Sequence, residues 1–173
     1  MTKIGLLSDT HGYLDTRVKE YFEECDEIWH AGDIGSEEVL QSLREFRPTR
    51  AVYGNMDSGD VRYSLSEFYR FRVEDVNILM THIGGYPGRY NPWLIPMFRK
   101  AAEEKATDKG GIDLFVCGHS HILKVQYDPM WQFLTMNPGA AGKQGWQTVQ
   151  TLLRFEIDKK EIKNLEVIEL GRK

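Results

Sequence analysis

The chain has 173 residues, 41% hydrophobic and 28% charged, which is typical of one globular domain and not of a disordered chain. The formal net charge of −4 lacks the excess of cations that nonspecific nucleic-acid binding requires, so nucleic acid is disfavoured as a partner. No apolar run is long enough to span a membrane, and the N-terminus lacks the apolar stretch of a signal peptide, so we expect a cytoplasmic protein.

Eight apolar runs have the length and composition of β-strands, and the first five of them lead directly into short polar motifs. They lie at residues 3–8, 27–30, 49–53, 76–80, 113–117, 132–136, 151–157 and 163–170. A further segment at residues 69–72 alternates aromatic and arginine side chains, which is typical of an edge strand with two different faces.

Three helical patterns lie between these strands. The first has apolar side chains at i, i+3, i+4 and i+7 from Val18 to Cys25, the second follows the suitable N-cap Ser36, and the third lies near residues 94–105. The early half therefore alternates β and α, whereas the C-terminal third is nearly all β. This order predicts mixed sheets packed together with helices outside, in a single domain over residues 1–173. Cys25 and Cys117 are expected to be buried free thiols.

All five histidines lie beside short acidic or glycine-rich motifs. The motifs are Ser8-Asp9-Thr10-His11, Gly32-Asp33, Gly54-Asn55-Met56-Asp57, Thr81-His82 and Gly118-His119-Ser120-His121. Ligands of open α/β sheets bind at the C-terminal ends of strands, so we expect these side chains to meet at one sheet edge. Imidazole nitrogens and carboxylate oxygens without thiolates favour two divalent transition ions, manganese first, with iron, zinc, nickel or cobalt as alternatives.

The charge of such a site favours a phosphate ester as the substrate. Two divalent ions carry a charge of +4 against −2 from Asp9 and Asp33, so a charge of about +2 remains. This excess attracts a phosphate anion and offsets the charge that develops in its transition state. A carboxylate has two oxygens and can bridge two ions, which suits Asp33, and Asn55 offers a neutral carbonyl oxygen.

The ordered motifs Asp-x-His, Gly-Asp, Gly-Asn, His and Gly-His-x-His, over residues 4–142, resemble the calcineurin-like metallophosphoesterase superfamily. The small size, the Gly-Asn-x-Asp form and the later Asn137-Pro138-Gly139 are similar to its small prokaryotic phosphodiesterase branch. The resemblance implies an α/β fold, a four-layer α/β/β/α sandwich of two mixed sheets with outer helices. It also implies that one metal is held by Asp9, His11 and His121, the other by Asn55, His82 and His119, with Asp33 bridging them.

The reaction that the resemblance implies is hydrolysis of a phosphodiester by a hydroxide shared between two ions, with Asp33, Asn55 and His82 as catalytic residues. Met56 departs from the family pattern, because many members have a histidine here that is thought to protonate the leaving group. A thioether cannot donate a proton. We therefore predict weak activity on alkyl esters and a preference for leaving groups of low pKa, such as those of aryl phosphodiesters.

Alternatives stay open at this stage. A phosphomonoesterase or a nuclease would use the same chemistry, and the superfamily also contains a retromer-coat subunit that serves as a protein-interaction scaffold. His30 and Asp57 are expected to support the site, and Arg89 either meets a substrate phosphate or is a solvated loop arginine. The glycine-rich stretch 137–142 is not a P-loop, because no helix pattern follows it. Homo-oligomerisation is left open.

Overall fold

The computed structural model describes residues 1–172, the last of them by its backbone alone, and within this range it contains ten β-strands, four α-helices and one 3₁₀ helix. The strands are β1 (Thr2–Leu7), β2 (Glu27–His30), β3 (Thr49–Ala51), β4 (Phe68–Val73), β5 (Val76–Thr81), β6 (Leu114–Val116), β7 (Leu123–Asp128), β8 (Phe133–Pro138), β9 (Val149–Asp158) and β10 (Glu161–Arg172). The α-helices are α1 (Arg17–Tyr21), α2 (Glu37–Phe46), α3 (Gly59–Ser64) and α4 (Ile95–Ala106), with the 3₁₀ helix at Pro92–Leu94.

The strands form two mixed sheets. The first has the order β10-β9-β1-β2-β3 and the second the order β4-β5-β6-β8-β7. In the first sheet β1, β2 and β3 are parallel, β9 pairs antiparallel with β1, and β10 pairs antiparallel with β9. In the second sheet β5, β6 and β8 are parallel, and β4 and β7 form antiparallel edges. The predicted edge strand at residues 69–72 is thus confirmed as part of β4.

The alternation of side chains along the strands builds the layers. In β1, Leu6 faces the core between the two sheets, whereas its neighbour Leu7 faces the core beneath α1, α2 and α3. In β6, Val116 faces the core between the sheets and Phe115 faces the core beneath α4, where Phe98 also packs. Helices therefore cover both outer faces, and the predicted four-layer α/β/β/α sandwich is confirmed.

Some predicted elements differ from the observed ones in length or were missed. Helix α1 ends at Tyr21, short of the predicted Cys25, and the chain continues in a turn where the Cys25 backbone N–H donates to the Phe22 carbonyl. Strand β7 was not predicted, since most of its side chains are half-buried or exposed at a sheet edge. Helix α3 was also missed, because it is only six residues long.

Both cysteines are buried and free as expected. Burial raises the pKa of Cys25 to about 11 and that of Cys117 to about 12. Along residues 1–172, the helices are all too short or too polar to cross a membrane.

Candidate metal centre

The polar motifs that follow β1 and β2 in the first sheet meet those that follow β5 and β6 in the second. Their imidazoles and carboxylates form two groups, and in each group the potential ligand atoms lie within 4.8 Å of one another. The groups are Asp9, His11 and His121, and Asp33, His82 and His119. Each group takes side chains from both sheets. The family resemblance implied the same first group, whereas it placed Asn55 with His82 and His119 and made Asp33 a bridge between the two ions.

Two carboxylate oxygens lie at the middle of the cluster. Asp33 Oδ2 is 3.1 Å from His82 Nε2 and 3.8 Å from His11 Nε2, so it reaches an imidazole of each group. Asp9 Oδ1 is 3.1 Å from His121 Nε2, 3.6 Å from His11 Nε2 and 3.7 Å from His82 Nε2. The nearest His11 and His121 nitrogens are themselves 3.4 Å apart. Ligand atoms that converge so closely from separate loops are arranged around a common centre.

Two of these converging atoms are buried without a hydrogen-bond partner in the described part of the chain. They are Asp9 Oδ1 and His82 Nε2. A buried polar atom without a partner costs free energy, so native structures supply it with hydrogen bonds, water or an ion. A carboxylate oxygen and an imidazole nitrogen are both donors to divalent transition ions. The residues present therefore fit the metals that the sequence predicted.

Hydrogen bonds on the far side of the ligands turn these atoms toward the centre. Asp9 Oδ2 accepts from the Ser8 hydroxyl at 2.6 Å and from the His119 backbone N–H at 3.1 Å, which leaves Oδ1 free. The Ala31 carbonyl lies 2.8 Å from His82 Nδ1. Because a carbonyl can only accept, Nδ1 carries a hydrogen, and Nε2 is the nitrogen that the neutral ring can offer to a metal.

Gln147 orients the imidazole of His121 in the same way as Ala31 orients that of His82. The sequence did not indicate this role of Gln147. Its Oε1 lies 2.8 Å from His121 Nδ1, while its Nε2 donates to the Gln144 carbonyl at 2.6 Å and so fixes the orientation of the amide. Nδ1 of His121 is therefore the donor, and Nε2 faces Asp9. No local sequence signal marks this glutamine, because it lies in an irregular loop 26 residues beyond its partner.

The cluster keeps its carboxylates ionised at neutral pH. Burial alone would raise the pKa of Asp9, but His11 and His121 hold it well below its usual range. For Asp33, burial is likewise outweighed by His82, and its pKa is also lowered. Burial lowers the pKa of His119, which favours the neutral imidazole that binds metal. Ionised carboxylates beside a neutral imidazole are a suitable donor set for a cation.

The backbone of the ligand loops is unusual. Five of the candidate ligands have positive φ angles, a conformation that side-chain-bearing residues rarely adopt. They are Asp9 (55°), His11 (47°), Asp33 (53°), His119 (71°) and His121 (61°). Gly54 lies against this backbone, where an added Cβ would be 2.1 Å from Asp33 Oδ1. Strain of this kind is concentrated at functional sites, because the surrounding structure must hold it.

The loop that carries Asn55 and Met56 crosses beside Asp33. The Met56 backbone N–H donates to Asp33 Oδ1 at 2.8 Å, and the Met56 side chain is 65% exposed. Asn55 is also exposed, and its side chain makes no hydrogen bond to residues 1–172. The structure thus places Asn55 beside the cluster by its backbone, while its role as a ligand stays a prediction.

His30 lies outside both groups and connects two ligand loops. Its Nδ1 accepts from the Gly32 N–H at 3.1 Å, so its Nε2 carries the hydrogen and donates to Thr10 Oγ1 at 3.0 Å. The Thr10 hydroxyl in turn donates to the Ile34 carbonyl at 2.8 Å. Burial lowers the pKa of His30 to about 4, so it is neutral at physiological pH. The predicted supporting role of His30 agrees with these contacts.

Asp57 joins the loop of Asn55 to the loop of Asp33. Its buried carboxylate accepts three backbone N–H groups, from Gly54 at 2.9 Å, Ile34 at 3.2 Å and Gly35 at 2.9 Å. All the hydrogen bonds observed for its carboxylate come from backbone N–H groups, as expected of a residue that supports the site from outside.

Replacement of Asp57 by alanine is expected to lower the free energy of unfolding by at least about 2 kcal/mol, because it leaves three backbone donors without their acceptor. Urea denaturation measures this change. The matched control is Asp60→Ala, which removes an exposed carboxylate from the first turn of α3 and should change stability by less than about 1 kcal/mol. Equal effects of the two substitutions would contradict the supporting role.

Several known proteins are similar to this chain. A model of the calcineurin-like phosphoesterase superfamily domain matches residues 2–160. A probable metallophosphoesterase of Methanocaldococcus jannaschii is 29% identical over 142 residues, covering 79% of this chain and 67% of that protein. A phosphodiesterase of the same archaeon is 25% identical over 180 aligned positions, covering 94% of this chain and 98% of that protein.

Two solved structures illustrate the likeness of fold. Vps29 of Chaetomium thermophilum has a TM-score of 0.70 at 15% identity, with all of both chains covered. A protein of Thermotoga maritima has a TM-score of 0.67 at 23% identity, covering 98% of this chain and 100% of that one. At these identities the two structures show a shared fold, whereas the domain match extends over nearly the whole chain. The chain therefore belongs to the calcineurin-like phosphoesterase superfamily.

Proposed function

We propose that the chain is a metal-dependent phosphoesterase that hydrolyses phosphodiesters. The observation that carries the proposal is the pair of ligand groups whose converging atoms include two buried atoms without hydrogen-bond partners. In this proposal Asp9, His11 and His121 hold one divalent ion. His82, His119 and Asn55 hold the other, and Asp33 bridges them. Manganese is the first choice among the ions that this donor set accepts.

Divalent ions bound there would supply a water of lowered pKa and positive charge for the phosphate oxygens. Neighbouring residues of the chain fix the orientation of the proposed ligand side chains. His82 and His121 are locked in one tautomer by Ala31 and Gln147, and the Asp33 carboxylate is fixed by the Met56 backbone N–H. Water adds to phosphorus, the bond from phosphorus to the ester oxygen breaks, and the products are a phosphate monoester and an alcohol or phenol.

Met56 stands where the family pattern that this chain resembles has a histidine, and this bears on the leaving group. Met56 has no proton to give, so an alkoxide would leave without help, whereas a phenolate with an electron-withdrawing substituent needs none. We therefore propose a preference for esters with good leaving groups. The resemblance to a relative named as a phosphodiesterase, along 94% of the chain, supports a diester over a monoester.

The proposed function is tested by metal analysis of the purified protein together with an assay of bis(p-nitrophenyl) phosphate in the presence of Mn²⁺, Ni²⁺ or Zn²⁺. We expect bound transition metal, release of p-nitrophenolate that depends on added metal, and loss of both after exhaustive chelation. p-Nitrophenyl phosphate has the same leaving group, and its slower hydrolysis would support the diesterase. Protein that binds no transition metal and stays inactive with every ion would favour the non-catalytic scaffold.

A further inference from the structure

A pocket of about 570 Å³ opens beside the metal centre and shares His119 with it. Its apolar walls include Ile83, Tyr86 and Ile122, and its polar lining includes Arg89 and Lys124. The volume lies within the range of sites that bury small organic molecules. An ester bound at the metal centre could thus extend its organic group into this pocket without any change in the fold.

The charged side chains that line the pocket, Arg89 and Lys124, are both positive. No aspartate or glutamate is found among its lining residues, within the chain as far as residue 172, although the whole protein carries a net charge of −4. The exposed Arg89 guanidinium forms no ion pair with the described residues, and the half-buried Lys124 ammonium lies 4.4 Å from the centre of the Tyr86 ring. Two cations without carboxylate partners favour an anionic ligand.

Both cations are attached to elements that also position metal ligands. Arg89 lies in the loop that leaves β5 through His82, and this loop is closed by hydrogen bonds from Arg89 N to the Tyr86 carbonyl and from Asn91 N to the Gly84 carbonyl, both 2.8 Å. On β7, Lys124 pairs with Asn137 of β8.

Asn137 in turn supports the loop of His119 and His121. Its amide nitrogen donates to the Gly118 carbonyl and to Ser120 Oγ, each at 3.0 Å. The backbone segments that carry Arg89 and Lys124 are therefore fixed relative to the metal ligands.

We propose that this pocket, here called the ester pocket, selects phosphodiesters whose organic group is of nucleotide size and carries a second anionic group, which Arg89 and Lys124 bind. The inference rests on the proposed hydrolysis at the adjoining metal centre. The planar ring of Tyr86 and the apolar side chain of Ile122 suit a ring of the organic group, while the forked guanidinium of Arg89 matches a phosphate.

The test compares two chromogenic substrates that differ only in the second anion. Thymidine 5′-(p-nitrophenyl phosphate) lacks it, and the corresponding 3′-phosphate has it. We expect the wild-type protein to favour the 3′-phosphorylated ester in kcat/KM by about 10-fold or more, as hydrogen bonds to charged groups typically give. The double variant Arg89→Ala/Lys124→Ala should reduce this ratio to about one. The matched control Arg99→Ala/Lys100→Ala removes the same charge from the exposed surface of α4 and should keep the wild-type ratio.

Binding of thymidine 3′,5′-bisphosphate, measured by calorimetry, separates the two proposals. If no ester is hydrolysed but the bisphosphate binds the wild type and loses about 10-fold or more in affinity in the double variant, the proposed function fails and the ester pocket stands. Bis(p-nitrophenyl) phosphate hydrolysis without any preference for the 3′-phosphorylated ester would overturn the ester pocket and leave the hydrolase intact. Equal binding by the wild type and the double variant would also overturn it.

Discussion

Replacement of Asp33 by asparagine is expected to reduce hydrolysis of bis(p-nitrophenyl) phosphate by more than about 100-fold, beyond the usual effect of residues that merely support metal ligands. Asparagine can still accept the Met56 N–H through its oxygen, so the loop contact is kept. The change replaces the Oδ2 that lies 3.1 Å from His82 and 3.8 Å from His11. An amide nitrogen there has no lone pair for a metal and adds no negative charge. Metal content, measured on the same preparation, should fall together with turnover.

The matched control for this substitution is Asp108→Asn. Asp108 has a φ of 55°, close to the 53° of Asp33, but it is exposed near the end of α4. The two variants therefore make the same chemical change in the same backbone conformation, and the control should keep both metal and turnover. Asp33→Asn protein with full metal content and wild-type hydrolysis would contradict the bridging role.

Replacement of Met56 by histidine is expected to raise the turnover of poor leaving groups by roughly 100-fold, the lower end of what a general acid contributes. The Met56 side chain is 65% exposed, so an imidazole fits without repacking the core. Esters of p-nitrophenol should gain little, because p-nitrophenolate leaves without a proton.

The measurement is a series of aryl methyl phosphodiesters whose phenols have increasing pKa values. In the wild type log kcat should fall steeply with leaving-group pKa, and in Met56→His the dependence should flatten. Met56→Leu is the matched control, since it keeps an apolar side chain without a proton and should keep the steep slope. A slope that is equally steep in all three proteins would show that position 56 does not supply a proton.

The order of apolar runs and helical patterns predicted mixed sheets with outer helices, and the family resemblance implied the four layers. Neighbours such as Leu6 and Leu7 face different cores, and the apolar runs of β1, β5 and β6 are buried on both faces. The sequence patterns missed β7, whose side chains are mostly half-buried or exposed at a sheet edge and therefore give no apolar run. The short helix α3 likewise offers too few residues for a periodic pattern.

For the candidate site, the sequence indicated individual residues and not only the types of element. The six carboxylate and imidazole side chains expected to bind metal do converge, because each follows a strand that ends at this edge. Residues that only support them could not be found in this way. Gln147 reaches His121 from an irregular loop, and the partners of Asn137 depend on how β7 and β8 pair. Such contacts are fixed by tertiary structure and leave no local pattern.

Each ligand group takes side chains from both sheets, and this has a consequence for the protein beyond its chemistry. Asp9 and His11 follow β1, whereas His121 follows β6 of the other sheet, so an ion bound by these three side chains, as proposed, would link the two sheets. Binding that requires the folded arrangement adds to the free energy of unfolding. The working life of the protein in a cell would then follow the local supply of its ion, since chains without metal would be the first to open and be degraded.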